Sequence, residues 1–132
     1  ESAMTQIMLN SCIRFRQRYE DDQFYVHIYE NSDDLCYATL GMNTGERVSN
    51  LSLASGCLNI GTVVHELMHV IGFYHEQNRH DRDEHLKIFY ENIKANFTKS
   101  FVKNDPRNSN IEYFQIALQF SCFSHFTVIC YV

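Results

Sequence analysis

The sequence predicts one α+β domain, and three observations carry that prediction. The chain has 132 residues, of which 45% are hydrophobic, and this suits a globular domain with a modest core. Residues 2–10 and 58–71 repeat apolar side chains at the spacing of a helix. Between these two stretches, shorter segments alternate with the period of two that is typical of strands.

The first predicted helix comprises residues 2–10, in which Met4, Ile7 and Met8 share one face. A turn is expected at residues 31–34, which read Asn-Ser-Asp-Asp. Four strands are predicted at residues 12–18, 24–29, 35–40 and 47–53. The second helix, at residues 58–71, presents a row of aliphatic side chains for burial: Val63, Val64, Leu67, Val70 and Ile71.

A histidine motif occupies the end of the second helix. His65 and His69 are four residues apart, so they share one helix face, and two imidazole nitrogens can reach one ion at roughly 2.0–2.1 Å. Glu66 can approach a water at that ion without being a ligand. Because His75 would point elsewhere on a continued helix, the chain must turn first, and Gly72 can end the helix with a positive φ. This arrangement predicts a catalytic zinc site.

The stretch at residues 65–83, HELMHVIGFYHEQNRHDRD, resembles the extended zinc signature of the astacin-type metallopeptidases, which belong to the metzincins. Shorter segments fit the same family pattern, at residues 11–15, 56–58, 87–88 and 92–93. The resemblance covers residues 3–100. It implies a metzincin-like N-terminal subdomain, with a twisted mixed sheet and two helices that include the zinc helix, followed by a truncated, irregular C-terminal part.

The same resemblance implies a secreted zinc endopeptidase that binds one zinc ion per chain. His65, His69 and His75 would be the metal ligands and Glu66 the general base. Zinc in such a site lowers the pKa of water to about 7, and the glutamate takes the proton and returns it to the leaving amine. The implied substrate is a protein or peptide.

The sequence departs from the family beyond Pro106. A methionine turn of the form S-x-M-H-Y is not found there. We therefore expect residues 1–113 to be a partial catalytic domain, with residues 1–76 as its upper subdomain and residues 77–113 as the start of its lower one. Residues 114–132 are expected to be a divergent apolar tail. The alternative function is a non-catalytic zinc-binding fragment that lacks the methionine turn and the lower cleft.

Five cysteines in a short chain indicate an oxidising compartment, and their odd number leaves one thiol over. The family resemblance implies a disulfide between Cys36 and Cys57. It also implies that Cys12 pairs with a cysteine far along the chain. Cys122 and Cys130 both remain open as that partner, and so does a buried free thiol at Cys12.

The formal net charge of -5 argues against binding to nucleic acid or to an anionic membrane surface. Arg14, Arg16 and Arg18 alternate as the solvated face of a strand would, which is preferred here to a binding patch. Glycosylation sequons begin at Asn50 and Asn96 and agree with secretion. Polar residues interrupt the apolar tail, so a membrane-spanning segment is not favoured. The oligomeric state is not indicated.

Overall fold

The computed structural model describes residues 1–42, 45–105 and 126–131. Pro106, and the part of the predicted apolar tail before Phe126, lie outside these residues. The helices and strands follow in the order α1 (Ser2–Asn10), β1 (Ile13–Gln17), β2 (Tyr25–Glu30), β3 (Tyr37–Ala38), β4 (Val48–Leu53), α2 (Ile60–Ile71) and β5 (Phe126–Tyr131).

The five strands form one mixed sheet in the order β1-β5-β2-β4-β3. Neighbouring strands are parallel except for β3, which runs antiparallel to β4 at one edge. The predicted α+β class and the mixed sheet are thereby confirmed. The third predicted strand, residues 35–40, is observed only at Tyr37–Ala38. At its start, the Leu35 carbonyl accepts a hydrogen bond from the buried Ser52 hydroxyl at 3.1 Å.

One hydrophobic core joins both helices to the sheet. It contains residues of α1, β1, β2, β4, β5 and α2. Leu51 of β4 and Leu67 of α2 are completely buried. The buried members of this core are Ala3, Ile7, Ile13, Val26, Leu51, Leu67, Val70, Ile71 and Cys130. The aliphatic row predicted on the second helix therefore faces the core at Leu67, Val70 and Ile71, and its burial holds α2 against the sheet.

The three alternating arginines are only partly solvated. Arg14 folds back and donates to backbone carbonyls at the end of α1. Arg16 forms an ion pair with Asp22 at 2.6 Å, and its hydrogen bond lowers the pKa of that carboxyl to about 2. The Arg18 guanidinium lies over the ring of Tyr25, 4.1 Å from its centroid. Because each guanidinium has a partner within the chain, the row is not a free binding patch.

Strand β5 is the largest difference from the sequence-based expectation. Residues 126–131 belong to the predicted tail, yet they lie between β1 and β2 and pair in parallel with both. Val128 packs against the core and Cys130 is buried within it. The run FTVICY is rich in β-branched and aromatic residues, and strands of parallel sheets read as continuous apolar runs, not as alternating ones. The division of the chain at residue 113 stays a prediction.

The cysteines confirm one pairing. Cys36 is bonded to Cys57, with their Cα atoms 6.2 Å apart. Cys12 and Cys130 are both free and buried, so the open alternative of a Cys12–Cys130 disulfide is not formed. Cys122 lies outside the described residues.

The segment after α2 is irregular, as predicted. Between α2 and residue 105, where the described part of this segment ends, four 3₁₀ turns occur, at Glu76–Asn78, Arg82–Glu84, Tyr90–Asn92 and Ala95–Phe101. Arg82, only 5% exposed, holds three of them together by donating to the Gln77 carbonyl, the Phe101 carbonyl and the Tyr90 hydroxyl. Within the part of the chain that the structure describes, no helix is long and apolar enough to cross a membrane.

The position of β5 predicts a protected thiol at Cys130. Burial raises its pKa to about 11, so roughly one thiol in a thousand would be ionised at pH 8. We expect alkylation of Cys130 by iodoacetamide to be slow in native protein and fast in urea, as measured by peptide mass spectrometry. Equal rates in the two conditions would show that β5 does not lie inside the sheet.

Loss of the Cys36–Cys57 disulfide should destabilise the fold. The bond closes a loop between cysteines 21 positions apart, which contributes about 3 kcal/mol in the chain-entropy model. A Cys36→Ala/Cys57→Ala double variant should lower the free energy of unfolding in urea by about this amount, while peptide mapping of the parent without reduction should recover the linked pair. Recovery of either cysteine linked to Cys12 would contradict the pairing.

Candidate metal centre

The zinc helix begins later than predicted because Asn59 caps it. The Asn59 side chain accepts a hydrogen bond from the Thr62 amide at 2.9 Å, which satisfies one of the free donors of the first turn. Leu58 therefore precedes α2, and the helix starts at Ile60. This cap lies more than one turn before His65, so it sets where the helix begins relative to the histidines.

Gly72 ends the helix as the motif predicts. Its φ of 111° is a conformation that side-chain-bearing residues rarely adopt. Its amide donates to the carbonyl of His69 at 2.8 Å, and the next amide, of Phe73, donates to the carbonyl of Met68 at 3.0 Å. The chain thus turns directly at the helix end, which allows His75 to return toward the helix.

The reversal brings the three predicted histidines together. The Nε2 atom of His69 lies 3.0 Å from that of His65 and 3.1 Å from that of His75. One ligand atom from each residue falls within 4.8 Å of the others. Nitrogens bound tetrahedrally at roughly 2.0–2.1 Å from a zinc ion would be about 3.3 Å apart. The observed separations therefore fit three nitrogens that share one ion.

A hydrogen bond sets the tautomer of His69. Its Nδ1 atom lies 2.6 Å from the Phe73 carbonyl oxygen, which can only accept, so Nδ1 carries the proton. The lone pair is then on Nε2, which points at His65 and His75. Support of this kind behind a histidine ligand is typical of metal sites. The sequence motif could not show the Phe73 carbonyl, because a backbone atom has no residue signature.

The surroundings of His75 favour its neutral form. The pKa of His75 is lowered from 6.5, first because partial burial disfavours its charged form, and then because His69 and His65 lie close to it. The nearby Glu66 opposes this shift. A neutral ring offers the lone pair that a metal ion needs.

Glu66 lies on α2 beside this cluster and is 6% exposed. Its Oε2 atom is buried and has no hydrogen-bond partner among the described residues. An unpaired buried carboxylate oxygen lowers the stability of the fold. This indicates a hydrogen-bond partner from outside the described chain. A water held at the histidine cluster would be such a partner. The buried Glu66 oxygen is therefore consistent with a zinc ion and its bound water at the three histidines, as the motif predicts.

A further support comes from Gly41, which the motif did not indicate. Its amide donates to the His69 carbonyl at 2.9 Å, and its own carbonyl accepts from the buried Ser49 hydroxyl at 3.1 Å. Gly41 has a positive φ of 63°, and a Cβ there would lie 3.6 Å from the Cα of Gly72. Gly41, in the loop after β3, thus packs directly against the end of the zinc helix.

A mixed sheet that carries a helix with HExxH, followed by a glycine turn and a third histidine, is the arrangement typical of the metzincin class of zinc metallopeptidases. The family model for astacin, which describes a peptidase family, matches residues 1–128. The chain belongs to the astacin family.

Relatives and a solved structure agree with this assignment. Zinc metalloproteinase nas-15 of Caenorhabditis elegans is 42% identical over 102 residues, which are 77% of this chain and 17% of that protein. Astacin-like metalloprotease toxin 5 of Loxosceles gaucho is 43% identical over 93 residues, 70% of this chain and 48% of the toxin.

The structure of high choriolytic enzyme 1, a hatching enzyme zinc-protease from the medaka fish Oryzias latipes, superimposes with a TM-score of 0.66 at 35% identity. The match covers 79% of this chain and 50% of the medaka chain. The chain thus spans half or less of the length of these three relatives.

Replacement of His69 tests the metal centre. A His69→Ala variant should bind zinc more than about a hundredfold more weakly than the parent, because two ligands do not hold the ion and the Phe73 contact is lost as well. The measurement is zinc content after dialysis, by mass spectrometry of the metal. The matched control is His27→Ala on β2, which should keep one zinc per chain. Equal zinc in the His69 and His27 variants would refute the ligand assignment.

Proposed function

We propose that this chain carries the catalytic centre of a secreted zinc endopeptidase, with His65, His69 and His75 as metal ligands and Glu66 as general base. The proposal rests on the geometry of the three histidines together with the surroundings of Glu66. The Nε2 atom of His69 lies 3.0 Å and 3.1 Å from those of the other two histidines, and the buried Oε2 atom of the neighbouring Glu66 has no partner in the described chain.

The role of each residue follows from its position. The three histidines would hold a zinc ion through neutral nitrogens, and a zinc ion held in this way would supply a positive charge that polarises a peptide carbonyl and lowers the pKa of water to about 7. Glu66 accepts the proton of the attacking water and then donates it to the amine that leaves. Burial of Glu66, next to His65 on the helix, holds the carboxylate at a set place, which removes the cost of orienting it during the reaction.

The substrate is proposed to be a protein or peptide, since the chain belongs to a family of metallopeptidases. The net charge of -5 and the internal pairing of Arg14, Arg16 and Arg18 do not favour nucleic acid. Secretion is supported by the Cys36–Cys57 disulfide, because disulfides persist in oxidising compartments. Two of the similar proteins are themselves metalloprotease toxins by name.

Replacement of Glu66 separates catalysis from metal binding. Glu66→Gln keeps the size of the side chain but cannot accept a proton, so hydrolysis of a quenched fluorescent peptide should fall about a hundredfold or more while zinc content stays at one per chain. The control is Glu30→Gln at the exposed end of β2, which should match the parent in both measurements.

Each possible result of that experiment has a distinct meaning. Hydrolysis by Glu66→Gln within tenfold of the parent would assign the base role to another residue. A parent that holds one zinc but shows no hydrolysis would support the alternative of a non-catalytic zinc-binding fragment. A parent that holds no zinc would refute the metal centre itself.

A further inference from the structure

The chain contains two Asn-x-Ser/Thr sequons, and the structure gives their asparagines different surroundings. Asn50 lies within β4, and Asn96 lies in the 3₁₀ segment Ala95–Phe101. Neither is used by the proposed catalytic centre. A glycan is bulky and must remain at the surface of the folded protein, so the surroundings of each asparagine indicate whether the fold accepts one there.

Asn96 is suited to carry a large group. It is exposed, and Phe97, the middle residue of its sequon, is 54% exposed. The side-chain amide of Asn96 forms no hydrogen bond with any residue that the structure describes. The Thr98 hydroxyl donates to the carbonyl of Ala95 at 2.9 Å, so it serves only its own turn and anchors no other part of the chain.

The 3₁₀ segment that contains Asn96 is anchored by hydrogen bonds at its C-terminal end. The Asn78 side-chain amide donates to the carbonyls of Ser100 and Val102 at 2.8 and 2.7 Å, and Arg82 donates to the carbonyl of Phe101 at 2.5 Å. These contacts fix the last residues of the 3₁₀ segment without involving Asn96. A group attached to Asn96 would therefore leave the anchoring contacts of the segment intact.

Asn50, unlike Asn96, is poorly suited to carry a large group. It lies in the interior of β4 with a strand on each side, in register with His27 of β2, while its amide and carbonyl are both bonded to Thr39. Asn50 itself is partly buried. Ser52, the third residue of this sequon, is fully buried and its hydroxyl donates to Leu35. A glycan attached before folding would have to be accommodated against this part of the sheet.

We infer that Asn96 is an N-glycosylation site of this protein and that Asn50 is not, an inference that rests on the proposed secretion. In the transfer, the side-chain nitrogen of Asn96 forms a bond to the anomeric carbon of the first sugar of a lipid-linked oligosaccharyl pyrophosphate. The bond between that carbon and the phosphate oxygen breaks, the lipid pyrophosphate leaves with the electron pair, and the amide loses one proton. No oxidant or reductant takes part.

The test is secretion of the chain behind a cleavable signal peptide from insect cells, in five forms. These are the parent and the variants Asn96→Gln, Asn50→Gln, Thr98→Ala and Thr98→Ser. Each is compared before and after digestion with peptide N-glycosidase in heavy-oxygen water, which converts a glycosylated asparagine into labelled aspartate. Peptide mass spectrometry then identifies the position, and gel mobility reports the number of glycans.

We expect one glycan in the parent, located at Asn96. Asn96→Gln and Thr98→Ala should lose it completely, whereas Asn50→Gln and Thr98→Ser should keep it, because Thr98→Ser retains the hydroxyl that the sequon requires. A secreted parent without a glycan, or any labelled aspartate at position 50, would overturn the inference. Zinc content and peptide hydrolysis of the same samples report on the proposed function separately, since the signal peptide supplies secretion whatever the native compartment is.

Discussion

The metal centre depends on one backbone constraint, the positive φ of Gly72 at the end of the zinc helix. If the helix continued, His75 would lie on a different face from His65 and His69. The turn costs little at glycine and would be strained at most other residues. It is stabilised by the His69 carbonyl, which accepts from Gly72 and also from Gly41. His69, one of the three proposed ligands, is therefore also the residue whose carbonyl stabilises the turn.

That double role links the site to the sheet. Gly41 belongs to the loop between β3 and β4, and its carbonyl is held by Ser49 near the start of β4. On its other side α2 buries Leu67 and Val70 in the core. The helix end is consequently fixed from two directions, by apolar packing along its length and by hydrogen bonds at its last turn. Such support keeps ligand atoms close together before an ion binds, which reduces the cost of ordering them.

Burial of Glu66 carries a cost in stability, which its proposed role as general base explains. A carboxylate oxygen without a partner in a buried position is unfavourable for folding. Glu66 is adjacent to His65 on the helix, and its carboxylate is close enough to His75 to oppose the lowering of that residue's pKa. In the proposed mechanism this local loss of stability leaves the carboxylate free of partners in the described chain, so that it can accept a proton from water. The disulfide between Cys36 and Cys57 is a covalent constraint elsewhere in the same small fold.

Local patterns in the sequence determined the parts of this protein that depend on nearby residues. The first helix, the strands at β1, β2 and β4, the glycine turn and the meeting of three histidines all follow from spacing within a few residues. Tertiary structure decided the rest. Strand β5 gained its place between β1 and β2 from pairing across roughly a hundred residues, which no local period encodes. The same holds for the Phe73 carbonyl behind His69 and the Gly41 amide, because backbone groups have no sequence signature and are placed only when the whole chain has folded.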